Sequence, residues 1–133
     1  MLASRIVQVP IRKPFGQVYE FLADPMNFAR WASVPGTEVE PLGDGTYLVE
    51  VPTGQVAIRF APRNSFGVLD YQAYWPNTPN GRVVPVRLYP NGDGCELIYT
   101  VMQHPDVTDE KFASDIEWIE SDLNRLKALV EQL

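Results

Sequence analysis

Four groups of side chains in this chain have chemistry to offer a small molecule. The only histidine, His104, stands before Pro105 with Asp106 and Asp109 close behind it. One histidine and two acids in a capping loop lack a third strong ligand at fixed spacing, so no metal is expected and His104 reads as a capping, solvated residue. The single cysteine, Cys95, adjoins a turn signal at 91–94, and no second histidine exists to activate it as a nucleophile. Tyr47, Tyr71 and Tyr99 carry phenols that are poor bases at their ordinary acidity but usable acids or hydrogen-bond donors. Arg59 and Asp70 form the fourth group: facing a pocket together they would be an ionisable, catalytic pair, and facing water they are structural. No glycine-rich loop follows a strand and opens a helix, which leaves phosphate-bearing cofactors without a cradle, and no cofactor is expected.

These side chains sit on a regular succession of elements. Residues 5–11 alternate, with Val7, Val9 and Ile11 on one face, and predict a first strand. Pro14 stops it and suits the first turn of a short amphipathic helix over 13–23, whose apolar side carries Phe15, Val18, Phe21 and Leu22. Asp24-Pro25, a cap followed by a proline, opens a second short helical piece through Phe28 and Trp31. Strand character then holds from 37 to 103, broken by turn signals at 43–45, 53–54, 64–65, 76–81 and 91–94. The turns divide the segment into a weak strand marked by Val39 and Leu42 and strands at 46–52, 55–62, 66–75, 82–89 and 95–103. Connections of hairpin length make neighbours antiparallel. The last element, 108–133, spans roughly 25 residues and about 37 Å as a helix. Thr108 or Asp106 can cap it, and Phe112, Ile116, Ile119, Leu123, Leu126, Val130 and Leu133 draw one apolar stripe down it. A sheet that needs covering lies just upstream, so the stripe is expected to pack within the chain rather than as a coiled coil.

Register decides which side chains look inward. A two-residue turn at Thr53-Gly54 sets Val51 opposite Val56, Val49 opposite Ile58 and Tyr47 opposite Phe60. A similar turn at Asn64-Ser65 sets Leu69 opposite Phe60 and Tyr71 opposite Ile58, with Ala73 and Trp75 on the same face. A hairpin at Gly92-Asp93 pairs Leu88 with Leu97 and Val86 with Tyr99, with Val84 and Val101 beyond. The other face then receives Arg59 opposite Asp70, with Glu50 diagonal to it. A lone carboxylate on the apolar face costs several kcal/mol, whereas a cross-strand pair on the wet face contributes ~0.2 to 1 kcal/mol, so Asp70 is expected to point outward as a structural residue.

Composition bounds the rest. The 133 residues are 45% hydrophobic and 21% charged, with a mean hydropathy of -0.16, which is ordinary for one globular domain spanning 1–133. The net charge of -6 is concentrated from Asp106 onward, where eight acids face three bases. That acidic helix side is expected to be solvated, and without a basic stripe nucleic acid is a poor partner. No apolar run is long enough to span a bilayer, the N-terminal residues do not read as a secretory signal, and one cysteine suits a reducing compartment, so a cytoplasmic location is expected. A homodimer is conceivable through a sheet edge or the outward Val83, Pro85, Ile98 and Met102.

The opening Val7-Gln8-Val9-Pro10-Ile11 strand, the run from Pro14 through Asp24-Pro25 to Trp31, and the closing helix from Asp122 to Glu131 resemble the helix-grip superfamily called START-like or SRPBCC, and the resemblance covers nearly the whole chain. It implies an α+β fold in which a seven-stranded curved antiparallel sheet, with two short helices after the first strand, wraps a long C-terminal helix. It also implies a cavity for a small hydrophobic molecule, used for transport or sensing in some members and for cyclisation or dehydration in others. The cyclases share no sequence motif, so no catalytic residue carries over by position. On this reading the ligand meets Tyr47, Phe60, Tyr71, Trp75 and Tyr99 from the sheet, Phe112, Ile116 and Ile119 from the helix, and Trp31 near the mouth. Carrier or sensor is the first expectation. A polyketide cyclase or dehydratase, and an interaction domain with a solid core, are the alternatives.

Overall fold

The alternation of Val7, Val9 and Ile11 yields an edge strand, β1 (Ala3–Ile11), in a computed structural model that describes residues 1–32, 37–51, 54–76 and 80–133. Pro14 ends the strand and precedes α1 (Phe15–Ala23), whose Val18, Tyr19, Phe21 and Leu22 are buried. Asp24 accepts a hydrogen bond from the Met26 N–H at 3.0 Å and so caps a 3-10 helix at Pro25–Arg30. The strands that follow are β2 (Glu40–Pro41), β3 (Thr46–Val51), β4 (Gly54–Phe60), β5 (Tyr71–Tyr74), β6 (Arg82–Val84), β7 (Val86–Asn91) and β8 (Gly94–Gln103), before α2 (Asp109–Glu131) closes the chain. Thr108 caps α2 by accepting from the Lys111 N–H at 3.1 Å, and Asp109 and Glu110 occupy its first turn.

The expectation of one seven-stranded sheet is corrected to eight described strands in two antiparallel sheets, ordered β1-β8-β7 and β2-β3-β4-β5-β6. Pro85 is the reason. It has no N–H to give to a ladder, and the stretch expected as one strand at 82–89 divides there into β6, which pairs with β5, and β7, which pairs with β8. The chain stays tied across the break: the Thr100 N–H donates to the Pro85 carbonyl at 3.1 Å, and the β4–β5 loop is bound to β7 by the Leu69 and Leu88 N–H groups, which donate to the Val86 and Gly67 carbonyls at 2.9 Å.

The register of the β7–β8 hairpin is as expected, with Leu88 opposite Leu97 and Val86 opposite Tyr99. Two others differ by two residues. Val49 faces Val56 and Tyr47 faces Ile58 across β3–β4, and Phe60 faces Tyr71 across β4–β5. A slip of two preserves the parity of a pleated strand, so the same side chains still share the inner face. The expected turn at Thr53-Gly54 lies partly outside the described residues, as does that at 76–81. The expected tight turn at Asn64-Ser65 is instead a longer loop between β4 and β5. The Asn64 side chain organises it, accepting from the N–H groups of Phe66 and Val68 and donating to the Pro62 and Val68 carbonyls.

The helix stripe meets the sheets unevenly. Leu123, Leu126 and Val130, all buried, belong to the half of α2 that packs on β1 and β8 with Val7, Val9, Ile11 and Leu97. Lys127 Nζ donates to the Pro10 carbonyl at 2.6 Å, and the Arg12 N–H donates to Glu131 at 2.7 Å, which pins this end of the helix to the end of β1. The five-stranded sheet stands further from α2, and the gap is the cavity described next.

Candidate functional site

A cavity of ≈ 560 Å³ lies between the inner face of the five-stranded sheet, the end of β8 and the N-terminal half of α2. Its walls are mainly apolar: Val51, Val56, Ile58, Ala73, Val84, Val101 and Ile119, with rings from Phe28, Trp75 and Trp118.

Two carboxylates of α2 border this cavity, Asp115 near its mouth and Asp122 deep within it. Asp122 follows Ile119 by three residues and precedes Leu126 by four, so helical geometry turns it to the buried side, and it is 2% exposed. The Arg125 guanidinium approaches its Oδ1 at 3.4 Å and is itself held by donating to the Trp31 carbonyl at 3.0 Å, while Trp118 hydrogen-bonds the carboxylate from one turn earlier. Burial pushes the Asp122 carboxyl up to about 7, and the Arg125 charge and the Trp118 bond offset only part of that rise. Tyr71 on β5 and Tyr99 on β8 enter the same space and hydrogen-bond each other through their hydroxyls. Burial, with a smaller contribution from the Asp122 charge, raises the Tyr71 phenol above its ordinary value, so it keeps its proton. Together these groups form a buried polar end of the cavity, able to hold, give or take one proton near neutral pH.

The mouth is differently built. Arg82 on β6 lies opposite Ala73, which puts it on the inner face, where it stacks over the Trp75 ring at 5.8 Å and pairs with Asp106 at 2.6 Å. His104 borders the same opening, its pKa lowered by burial and by Arg82 against the pull of Asp106. Lys111 and Asp115 form an ion pair one turn apart on α2. Among the described residues no group of three His, Cys, Asp or Glu side chains is placed to hold a metal.

Of the residues expected to meet a ligand, Tyr71, Trp75, Tyr99 and Ile119 line the cavity. Trp31, Tyr47, Phe60, Phe112 and Ile116 do not line it. Phe28 comes down from the 3-10 helix and meets Trp31, Phe60 and Tyr71 edge-on, with ring centroids 5.4, 5.6 and 5.7 Å away, and Tyr47 completes the cluster against Phe60. Trp31 is therefore buried behind Phe28 rather than near the mouth. Ile116 is buried and Phe112 half-buried in the packing around α2.

The Arg59–Asp70 pair does not form. Arg59 lies opposite Gln72 and is exposed. Asp70 is on the outer side, bound at both oxygens by Arg87 at 2.9 and 2.8 Å and accepting from the Val86 N–H at 2.8 Å. Burial raises the Asp70 pKa, but the bonds from Arg87 and Val86 outweigh it and hold the carboxyl below its ordinary value. Asp70 is structural as expected, with a different partner. Asp122, expected among the solvated acids of the helix, instead enters the cavity. Its signal was positional, an aspartate at stripe spacing from Ile119 and Leu126. Arg82 was legible in the same way, two residues before the inward Val84.

No family model matches the chain, and no curated protein matches it. Solved structures do match. An uncharacterised protein from Bacillus thuringiensis superposes with a TM-score of 0.76 at 13% identity over 96% of this chain and 98% of its own. The Aha1 dimer from Colwellia psychrerythraea gives 0.75 at 15% identity over 97% and 96%. DynU16, from the dynemicin biosynthetic locus, gives 0.71 at 17% identity over 96% of this chain but 47% of its own length. At such identities the likeness is one of fold: antiparallel sheets gripping a C-terminal helix.

Proposed function

We propose that this protein binds a small hydrophobic or aromatic molecule in the cavity between its five-stranded sheet and α2, as a carrier or sensor of the START-like, or SRPBCC, superfamily. The observation that carries the reading is the cavity itself, ≈ 560 Å³ in volume, with mainly apolar walls between a charged mouth and a buried polar end. That combination is what ligand sites show: apolar area supplies affinity and a few polar groups fix orientation. The fold shared with DynU16 supports the reading at the level of architecture. An open cavity also counts against a purely structural interaction domain.

Native mass spectrometry of gently purified protein against a panel of fatty acids and aromatic polyketides tests it. A bound mass of one-to-one stoichiometry and a saturable change in tryptophan fluorescence are expected, because Trp75 and Trp118 line the cavity and Trp31 lies one ring behind it. No bound mass and no fluorescence change with any of the panel would sink the reading.

A second reading, a cyclase- or dehydratase-like enzyme on the same fold, is favoured by one observation: the Asp122 carboxyl is poised at about 7 beside two phenols. Chromatography with mass analysis of the released ligands separates the two, since a carrier returns its ligand unchanged and an enzyme returns a product lighter by water or an isomer of altered retention.

A further inference from the structure

The charged groups around the cavity fall into two sets. Asp106 and Lys111 at the mouth are about half-exposed or more, and the pairs Arg82–Asp106 and Lys111–Asp115 neutralise each other. Asp122 and Tyr99 at the other end are almost fully buried, 2% and 3% exposed. We propose that this buried end, Asp122 with the Tyr71–Tyr99 hydroxyl pair, is a hydrogen-bond-donating site for a neutral oxygen acceptor, a ketone or quinone carbonyl on an otherwise apolar ligand, so that ligand and proton are held together. The inference rests on the binding reading above and specifies the ligand's polar end.

The donor character follows from counting hydrogens. Two phenols that bond each other use one hydrogen between them and leave the second for another acceptor. A protonated Asp122 adds one more. The competing ligand classes fit less well. A ligand carboxylate would face Asp122 in a desolvated space, and an ammonium would have to share the Asp122 carboxylate with Arg125, whose guanidinium is already 3.4 Å from Oδ1. A neutral carbonyl meets neither penalty and gains the otherwise unused donors.

The groups facing Asp122 are Arg125 and Trp118 from its own helix, Tyr71 from β5 and Tyr99 from β8. The raised Tyr71 phenol keeps its proton through this range. Of the groups at the mouth, His104 alone ordinarily titrates in this range, and burial lowers it. With Asp122 titrating at about 7, its donating form falls from about nine-tenths at pH 6 to about one-tenth at pH 8, and an acceptor that requires that form loses about tenfold in affinity.

A matched set of probes tests this by calorimetric or NMR titration of the whole chain: methyl naphthyl ketone, ethylnaphthalene and naphthylmethylamine, each at pH 6 and pH 8. The ketone should bind more tightly than the hydrocarbon at pH 6 and about tenfold more weakly at pH 8, while the hydrocarbon is indifferent to pH. Asp122→Asn, which keeps an N–H donor without a titrating proton, should retain ketone binding and lose its pH dependence; His104→Gln should leave that dependence in place. Tyr71→Phe should weaken the ketone several-fold and spare the hydrocarbon. Ketone and hydrocarbon binding alike at both pH values overturns the donor site while leaving the cavity reading intact. An amine that binds best and tightens with pH overturns it in favour of a cation site, and failure of all three probes overturns the cavity reading as well.

Discussion

Asp122 carries a cost that the rest of the helix's acids do not. A carboxylate removed from water is penalised by several kcal/mol unless its partners compensate fully, and one guanidinium contact at 3.4 Å with one indole bond does not. The consequence is a linkage between proton and fold. The native carboxyl holds its proton up to about 7, whereas an unfolded aspartate releases it near ~3.9. The raised value therefore adds stability that is fully present below about pH 4 and is lost as the pH rises through 7. Urea unfolding of the wild type and Asp122→Asn at pH 5 and pH 8 should show the variant gaining about 2 to 3 kcal/mol relative to the wild type over that interval. Parallel behaviour of the two proteins would mean that Asp122 is solvated. The stripe of Ile116, Ile119, Leu123, Leu126 and Val130 is plain from its spacing, but the general rule that helical acids face water misplaces Asp122, which shares the stripe's side. Asp70 shows the reverse case, where the cost of a carboxylate on an apolar face correctly predicted direction and only the partner, Arg87 in place of Arg59, depended on a loop length that spacing did not define.

At the scale of elements, what was legible was local and what was not depended on long loops. The Gly92-Asp93 hairpin set its own register because Asn91 and Gly94 close it directly. Between β4 and β5 the chain takes a longer path ordered by Asn64, which no two-residue turn anticipates. Parity survived there because the slip was even, and with it the inner face. The division at Pro85 was readable in principle, since a proline in the interior of a paired strand argues for a bend or an edge. Gly67 is where this loop touches the sheet. Its φ is +75°, and a β-carbon there would enter the van der Waals surface of the Leu88 carbonyl oxygen. The Gly67 carbonyl also accepts from the Leu88 N–H at 2.9 Å, which ties the β4–β5 loop to β7. Gly67→Ala is thus expected to destabilise by more than about 2 kcal/mol, combining backbone strain with displacement of that contact. Gly43→Ala is the control: φ is +85° but the space around it is open, so only the conformational cost of about 1 kcal/mol applies. Equal melting-temperature losses in the two variants would remove the close approach from the account.

At the scale of the molecule, the cavity arises because one straight helix cannot follow two sheets. The C-terminal part of α2 rests on β1 and β8 through Leu123, Leu126 and Val130, each at most 1% exposed, while Ile119 and Asp122, just before it, border the cavity beneath the five-stranded sheet. Packing density controls how readily backbone hydrogen bonds open. Amide exchange in the free protein should therefore be slowest along β1, β8 and residues 123–130, and faster in residues 112–121 and in β5 and β6, where side chains border the cavity instead of one another. A ligand fills what the fold leaves empty and stabilises the native state by mass action, about 2.7 kcal/mol at a hundredfold excess over its dissociation constant. If it sits in the cavity, that protection is uneven: the first half of α2 and the β5–β6 pair gain most, and β1 gains least because its opening already requires unfolding of the packed end. Protection spread evenly over the chain, or confined to the outer edge of β1, would place the ligand elsewhere, and the gap between helix and sheet would then be a consequence of packing geometry with no part in binding.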